Sequence, residues 1–335
     1  MKTLTRSLAV AAATVALVAG SAPAGSAAPA AGAPGHSSLQ EFCLTGNAPR
    51  HGRTFFDLQG TPSVFDIERE TLKNPNYRTA AWTGTQLQVT LMSIPPGGEV
   101  GLEVHPDTDQ FFRVESGTGQ FQAGTAEALD YVKDVTADDV MLVPQGTRHN
   151  VVNTGTTPLK LYVLYGPAHR PACTVHPTAA DSPDHGEPTP DPQIADATEV
   201  APFAGDPGAS PLALDITATT DANPHYRQAL WTGSSMQLTA MTIPVGGEVG
   251  AERHADVDQF FRVESGRAEV YFGTSEDDLR PAYTAKAGDA ILIPAGTWHN
   301  VVNASPKEPL KLYSLYARQP PGGRRGPDQG RRRRA

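Results

Sequence analysis

After its first twenty residues the sequence has no apolar run long enough to span a membrane, which excludes a transmembrane helix from the remainder. Charged residues are sparse, at 19%, and basic ones are outnumbered, with 27 Lys and Arg against 36 Asp and Glu, for a formal net charge of −9. Setting aside Lys2, Arg6 and an arginine-rich C-terminus makes the rest more acidic still. Such a body repels a phosphate backbone, so nucleic acid is excluded as a partner of the folded part. Cysteine is nearly absent: only Cys43 and Cys173 occur. What is plentiful is Gly (32) and Pro (30), too much for a helical protein and suited to many short strands joined by tight turns. A length of 335 residues favours two cores rather than one.

Residues 1–30 carry Lys2 and Arg6, an apolar run from Leu8 to Gly20, and small residues with Ala-x-Ala steps. This is the pattern of a cleaved secretory signal peptide, so the expected location is extracellular. In an oxidising compartment Cys43 and Cys173, which flank the first of two repeats, suggest a disulfide; two buried free thiols are the alternative. The last residues, RRGPDQGRRRRA, read as a basic disordered tail over 319–335, able to touch anionic cell-surface polymers.

The chain is a tandem duplication. NPNYRTAAWTG from Asn74 returns as NPHYRQALWTG from Asn223, and DQFFRVESG from Asp109 returns unchanged from Asp258. PQGTRHNVVN from Pro144 returns as PAGTWHNVVN from Pro294, and LKLYVLY from Leu159 as LKLYSLY from Leu310. Within each copy short blocks bounded by Gly and Pro alternate as strands do, which predicts an all-β protein of two barrels or sandwiches. The expected organisation is a first barrel over 43–172, a Pro/Asp-rich linker over 173–208 and a second barrel over 209–318.

Residues two apart on a strand project from one face, so Glu103 and His105 form a pair, as do Glu252 and His254. Gln110 and Gln259 open the next strand, and His149 and His299 follow a Pro-x-Gly turn. Each copy thus offers two imidazoles, one carboxylate and one amide. Phe112 and Val114 share the parity of Gln110 and should line the interior, whereas Phe111 and Arg113 face another sheet or subunit. Trp82 and Trp231 are expected in barrel packing, Arg78 and Arg227 in surface ion pairs rather than orienting an anionic substrate, and Asp107 and Asp109 near the pocket mouth, with alternation turning Asp109 away from Gln110. His51, His169, His176 and His185 sit in loop-like sequence and are expected to be solvated.

These blocks resemble the two motifs of the cupin superfamily. The second motif matches at Gly288, Pro294, Gly296, His299 and Asn303; the first copy keeps Pro144, Gly146, His149 and Asn153 but has Asp138 for the glycine, a change expected to alter only a turn. In the first motif Glu103 and Glu252 stand where the family has its first His, and Gln110 and Gln259 where it has Glu. The resemblance implies two tandem double-stranded β-helix (jelly-roll) barrels, similar to the small cupins likened to mannose-6-phosphate isomerases. It implies a divalent transition metal, Mn, Fe, Ni, Co or Zn, held by Glu103, His105, Gln110 and His149 and again by Glu252, His254, Gln259 and His299. The alternative is a metal-free barrel in which these groups hydrogen-bond among themselves. The function implied is a secreted metal-dependent enzyme, dioxygenase- or decarboxylase-like, on a small oxygenated molecule. A non-catalytic small-ligand or metal binder is the second reading, and a homo-oligomer is possible in either.

Overall fold

Alternation of apolar and polar residues over five to nine positions, punctuated by Gly, Pro and Asn, gives strands rather than helices almost everywhere. The computed structural model describes residues 57–182 and 210–318, which belong to one compact unit spanning Ser37–Ala335. The first copy forms β1 (Ser63–Asp66), α1 (Ile67–Lys73), β2 (Arg78–Thr83), β3 (Gln88–Ile94), β4 (Asp109–Ser116), β5 (Thr118–Gly124), β6 (Tyr131–Thr136), β7 (Asp139–Val143), β8 (Arg148–Asn153), β9 (Leu159–Gly166) and the short β10 (Val175–His176). The second forms β11 (Leu212–Asp215), α2 (Ile216–Ala222), β12 (Arg227–Thr232), β13 (Met236–Ile243), β14 (Val257–Ser265), β15 (Arg267–Gly273), β16 (Arg280–Lys286), β17 (Asp289–Ile293), β18 (Trp298–Asn303) and β19 (Leu310–Arg318). The two helices are short and each is capped by an aspartate: Asp66 accepts from the Arg69 amide and Asp215 from the Ala218 amide, both at 2.8 Å.

In each half a large sheet faces a three-stranded one. The orders are β10-β2-β3-β9-β4-β7-β11 with β6-β5-β8, and β1-β17-β14-β19-β13-β12 with β16-β15-β18. The fold is all-β, as the sequence indicated. The halves also exchange their first strands. β1 pairs antiparallel with β17 of the other half (Ser63 opposite Leu292), and β11 pairs with β7 (Leu212 opposite Leu142).

Strand parity then separates two kinds of core. Phe112 and Val114 lie inside the first barrel, and Phe261 and Val263 inside the second. Their neighbours of opposite parity, Phe111 and Phe260, join Trp82, Trp231, Tyr162 and Tyr313 in one apolar cluster that both halves share. The tryptophans are therefore packing residues, as expected.

Polar residues of the same parity pair reciprocally across this seam. Arg113 bonds Glu264, Arg262 bonds Glu115, and the Tyr162 and Tyr313 hydroxyls bond each other. Burial alone would lower the Arg113 guanidinium pKa, but the neighbouring tyrosines and carboxylates hold it above its ordinary value. Asp109 is not at a pocket mouth: it is fully buried and reaches into the other half, where it accepts from the Ser235 and Met236 amides at 2.6 and 2.9 Å. Asp258 does the same to Gln86 and Leu87. The glycine of each WTG block follows from this, because a Cβ on Gly84 would lie 2.4 Å from the Asp258 carboxylate and one on Gly233 equally close to Asp109.

Asp138, expected only to alter a turn, does more. It keeps the left-handed conformation of its counterpart, with φ 74° against 88° at Gly288. Its carboxylate also accepts from Arg113 at 2.9 Å and from Thr217 at 3.0 Å. In the other half Gly288 offers no side chain, and Arg262 finds its rim carboxylate on helix α1, at Glu68, 3.2 Å away. A carboxylate has thus moved from helix to turn between the copies. Asp138→Ala should be less stable than Asp138→Gly by about 1 kcal/mol, since alanine retains the left-handed strain and both lose the acceptor; chemical denaturation of the two variants checks the order.

Arg78 is not on the surface. It is 1% exposed and donates to Ser182 Oγ at 2.9 Å, because β10 pairs with β2 and covers it; Arg227, whose strand β12 is a sheet edge among the described residues, is exposed. Of the segment expected as linker, residues 173–182 are described and supply β10 and a single turn of 3-10 helix, Ala179–Asp181. The expected signal peptide, the rest of the linker, the basic tail, His51, His185 and Cys43 lie outside the described residues, and with Cys43 the expected Cys43–Cys173 pairing. No helix among the described residues is long and apolar enough to cross a membrane.

Candidate metal centres

Backbone pairing brings the donors together. Glu103 and His149 form an isolated antiparallel bridge, each amide bonding the other's carbonyl at 3.0 Å, so the two side chains leave the same face as immediate neighbours. Glu252 and His299 repeat the bridge. The imidazoles two residues beyond the glutamates are fixed by the Pro-x-Gly turns: Gly146 N–H donates to the His105 carbonyl and Gly296 N–H to that of His254, both at 2.6 Å. Both glycines are left-handed, at φ 76° and 84°. The motif asparagines, Asn153 and Asn303, serve the frame instead, donating to the Ile94 and Ile243 carbonyls.

In the first half Glu103, His105 and His149 place one ligand atom each within 4.8 Å of one another, and all three residues are buried. The Nε2 atoms of His105 and His149 lie 3.2 and 3.3 Å from the same Glu103 oxygen. Neither makes a hydrogen bond, nor do Glu103 Oε2 and Gln110 Oε1, though all four are buried. The His149 ring contacts the Thr147 carbonyl through Nδ1 at 2.9 Å, which puts the proton there and leaves Nε2 its lone pair. Burial raises the Glu103 carboxyl, but imidazolium donors at His105 and His149, the alternative to a metal between them, outweigh it and hold the group well below the usual carboxylate range. Buried lone pairs converging on one place without donors are costly unless a cation sits among them. The set therefore fits a divalent metal with N and O ligands.

The second half repeats the chemistry in a more open setting. Glu252, His254 and His299 again converge within 4.8 Å, His254 and His299 both 3.3 Å from one Glu252 oxygen, and His299 Nδ1 contacts the Thr297 carbonyl at 3.0 Å. The Glu252 carboxyl is also held below the usual range, burial opposing and the two histidines prevailing. The Glu252 and His254 side chains are 24% and 30% exposed, against 5% and 7% for Glu103 and His105.

The two glutamines differ in their placement. Gln110 donates to Glu103 at 3.4 Å, inside the first group; Gln259 donates to Ser314 at 3.4 Å, and its buried Oε1 makes no hydrogen bond. Sequence reasoning missed two neighbours of the first site. Tyr165 stands edge-on to His105 at 6.2 Å, as Tyr316 does to His254 at 5.8 Å; the tyrosine kept in both LKLYxLY blocks was an available signal. His169, an exposed residue as expected, nevertheless lays its ring 4.4 Å from that of His105, and nothing in the repeat points to it.

The pattern of the Cupin domain matches residues 90–165 and again 239–316. An uncharacterised Bacillus subtilis protein, YrkC, is 49% identical over 127 residues, covering 38% of this chain and 68% of that protein. The structure of BH2720 from Bacillus halodurans is 50% identical and covers 38% of this chain and 96% of that one, with a TM-score of 0.37. A Cupin 2 conserved barrel domain protein from Leptotrichia buccalis, 12% identical, has a TM-score of 0.50 over 76% of this chain and 96% of its own and shares the fold.

Proposed function

The chain belongs to the cupin family, with one such barrel in each half, and on that premise we propose that it is a secreted metal-dependent enzyme acting on a small oxygenated substrate. One observation carries the metal: in each barrel two imidazole Nε2 atoms converge on one glutamate oxygen. A bound divalent ion would supply Lewis-acid polarisation of a substrate oxygen or a binding place for dioxygen. The protein's part is to hold it with one carboxylate and two neutral imidazoles, leaving about one net positive charge, and to shield it with Tyr165 or Tyr316. Elemental analysis of the purified protein should find two ions per chain; none at all would overturn the reading.

The altered ligand set leaves the chemistry open between dioxygenase-like and decarboxylase-like reactions. Oxygen uptake or carbon dioxide release with small organic acids and phenols, abolished in a His105→Ala, His254→Ala double variant, tests both. A non-catalytic binder is favoured by the position of Asp109: of the two carboxylates expected near the mouth it is turned into the seam, which leaves only the exposed Asp107 as a nearby acid or base. Tight binding without product would establish that reading. Export and an oxidised Cys43–Cys173 pair complete the proposal: the denatured, unreduced protein should show no titratable thiol.

A further inference from the structure

The two metal groups are chemically matched but differently enclosed. Beyond β9 the chain turns back over the first barrel and is locked there by Gln88, whose amide nitrogen donates to the Arg170 carbonyl and whose amide oxygen accepts from the Arg170 N–H, both at 2.9 Å. That clamp sets His169 over the site, its ring 4.4 Å from His105 and stacked on Tyr165 at 5.6 Å, while the Arg170 guanidinium lies 5.7 Å from the centre of the Tyr165 ring. β10 then anchors the segment on β2, and Thr174 accepts from the Ala80 amide at 2.8 Å.

The second barrel keeps the matching glutamine but, among the described residues, not the cover. Gln237, aligned with Gln88, keeps only the bond that Gln88 also makes, to Thr232 at 3.0 Å where Gln88 has Thr83 at 2.9 Å, and among the described residues has no partner in the place of Arg170. A cavity of about 330 Å³ opens there, bounded by Thr232, Gly233, Gln237, Val257, Tyr316 and Arg318. Tyr226 is 44% exposed where its counterpart Tyr77 is 2% exposed. Tyr316 thus separates the second ligand group from an open cavity, whereas Tyr165 separates the first from packed chain.

We infer that the two metal sites are functionally unequal: residues 167–170 close the first, with His169 as the covering side chain, and the second is the one that exchanges its ion and meets external ligand. The inference rests on the reading that both groups hold a metal. Exchange from a buried site requires the cover to open, which slows it relative to an open site of the same donors.

The test uses the full chain loaded with Co²⁺ and followed by its absorption as excess EDTA removes the ion. Two phases of equal amplitude are expected, the slower at least tenfold behind. His105→Ala should remove the slow phase and His254→Ala the fast one. Gln88→Ala and His169→Ala should each accelerate the slow phase at least threefold and leave the fast one alone, and together they guard against a variant that misfolds. A single phase, or a slow phase assigned to His254, would overturn the inequality while leaving metal binding intact. Failure to load any Co²⁺ would instead strike the reading beneath it.

Discussion

Replacing Arg113 by alanine should destabilise the folded chain by about 3–5 kcal/mol, read as a fall in the denaturation midpoint. Arg113 is 1% exposed, and its guanidinium is shared by Glu264, Glu115 and Asp138. Without it the Glu264 and Glu115 side chains, 4% and 3% exposed, keep only Arg262 as a counter-charge, and one buried carboxylate is left unbalanced. Burial already raises the Glu115 carboxyl against the pull of both arginines, so the site has no surplus cation to spare. The quartet of Arg113, Glu115, Arg262 and Glu264 replaced together by apolar residues of similar volume should cost far less than the single change, because no uncompensated charge then remains. Equal losses would show that the seam is held by its shape, through Phe111, Phe260 and the paired tyrosines, and not by its charges.

The second large effect is on metal. His149→Ala combined with His299→Ala removes the fully buried imidazole from both groups and leaves a glutamate and one histidine in each. One carboxylate and one imidazole, with only the weak amide oxygen of Gln110 beside the first pair, do not hold a divalent ion firmly, so bound metal should fall from two ions per chain to near zero, together with any turnover. At a free metal concentration one hundred times the dissociation constant, each site adds about 2.7 kcal/mol to the stability of the native chain. The same concentration should therefore raise the melting temperature of the unaltered protein and leave that of the double variant unmoved. A variant that still melts later with metal would place the ion elsewhere.

The barrels and their donors were legible because both rest on short-range rules. Parity turned Phe111 away from Phe112, the Pro-x-Gly turn announced His149, and alternation paired Glu103 with His105 although that stretch forms only an isolated bridge at Glu103 and not the expected strand. What parity could not supply was the partner of the outward face. DQFFRVESG persists unchanged in both copies because each block acts across the seam on the other half: Asp109 on Ser235 and Met236, Phe111 on Tyr313, Arg113 on Glu264 and Glu115 on Arg262, residues about 125 to 200 positions away. The exchange of β1 and β11 was equally hidden, since a strand's pattern says which face is apolar and nothing of which sheet receives it. Arg78 was misjudged for a related reason. Its burial depends on β10, two residues long and too brief to give a periodic signal. Asp138 was read as a turn residue, and its second role appears only when Arg113 and Thr217 are seen in contact with it.

The crossing of β1 and β11 gives the covalent tie between the halves a particular value. Were they separate subunits, each would lend an arm to the other and their union would weaken on dilution; joined in one chain, they meet at a fixed local concentration however scarce the protein becomes. Identity between them is then no longer required, because an asymmetric pair can never be mis-sorted into two like halves. Drift becomes tolerable, and one pocket is free to shut while its twin stays open.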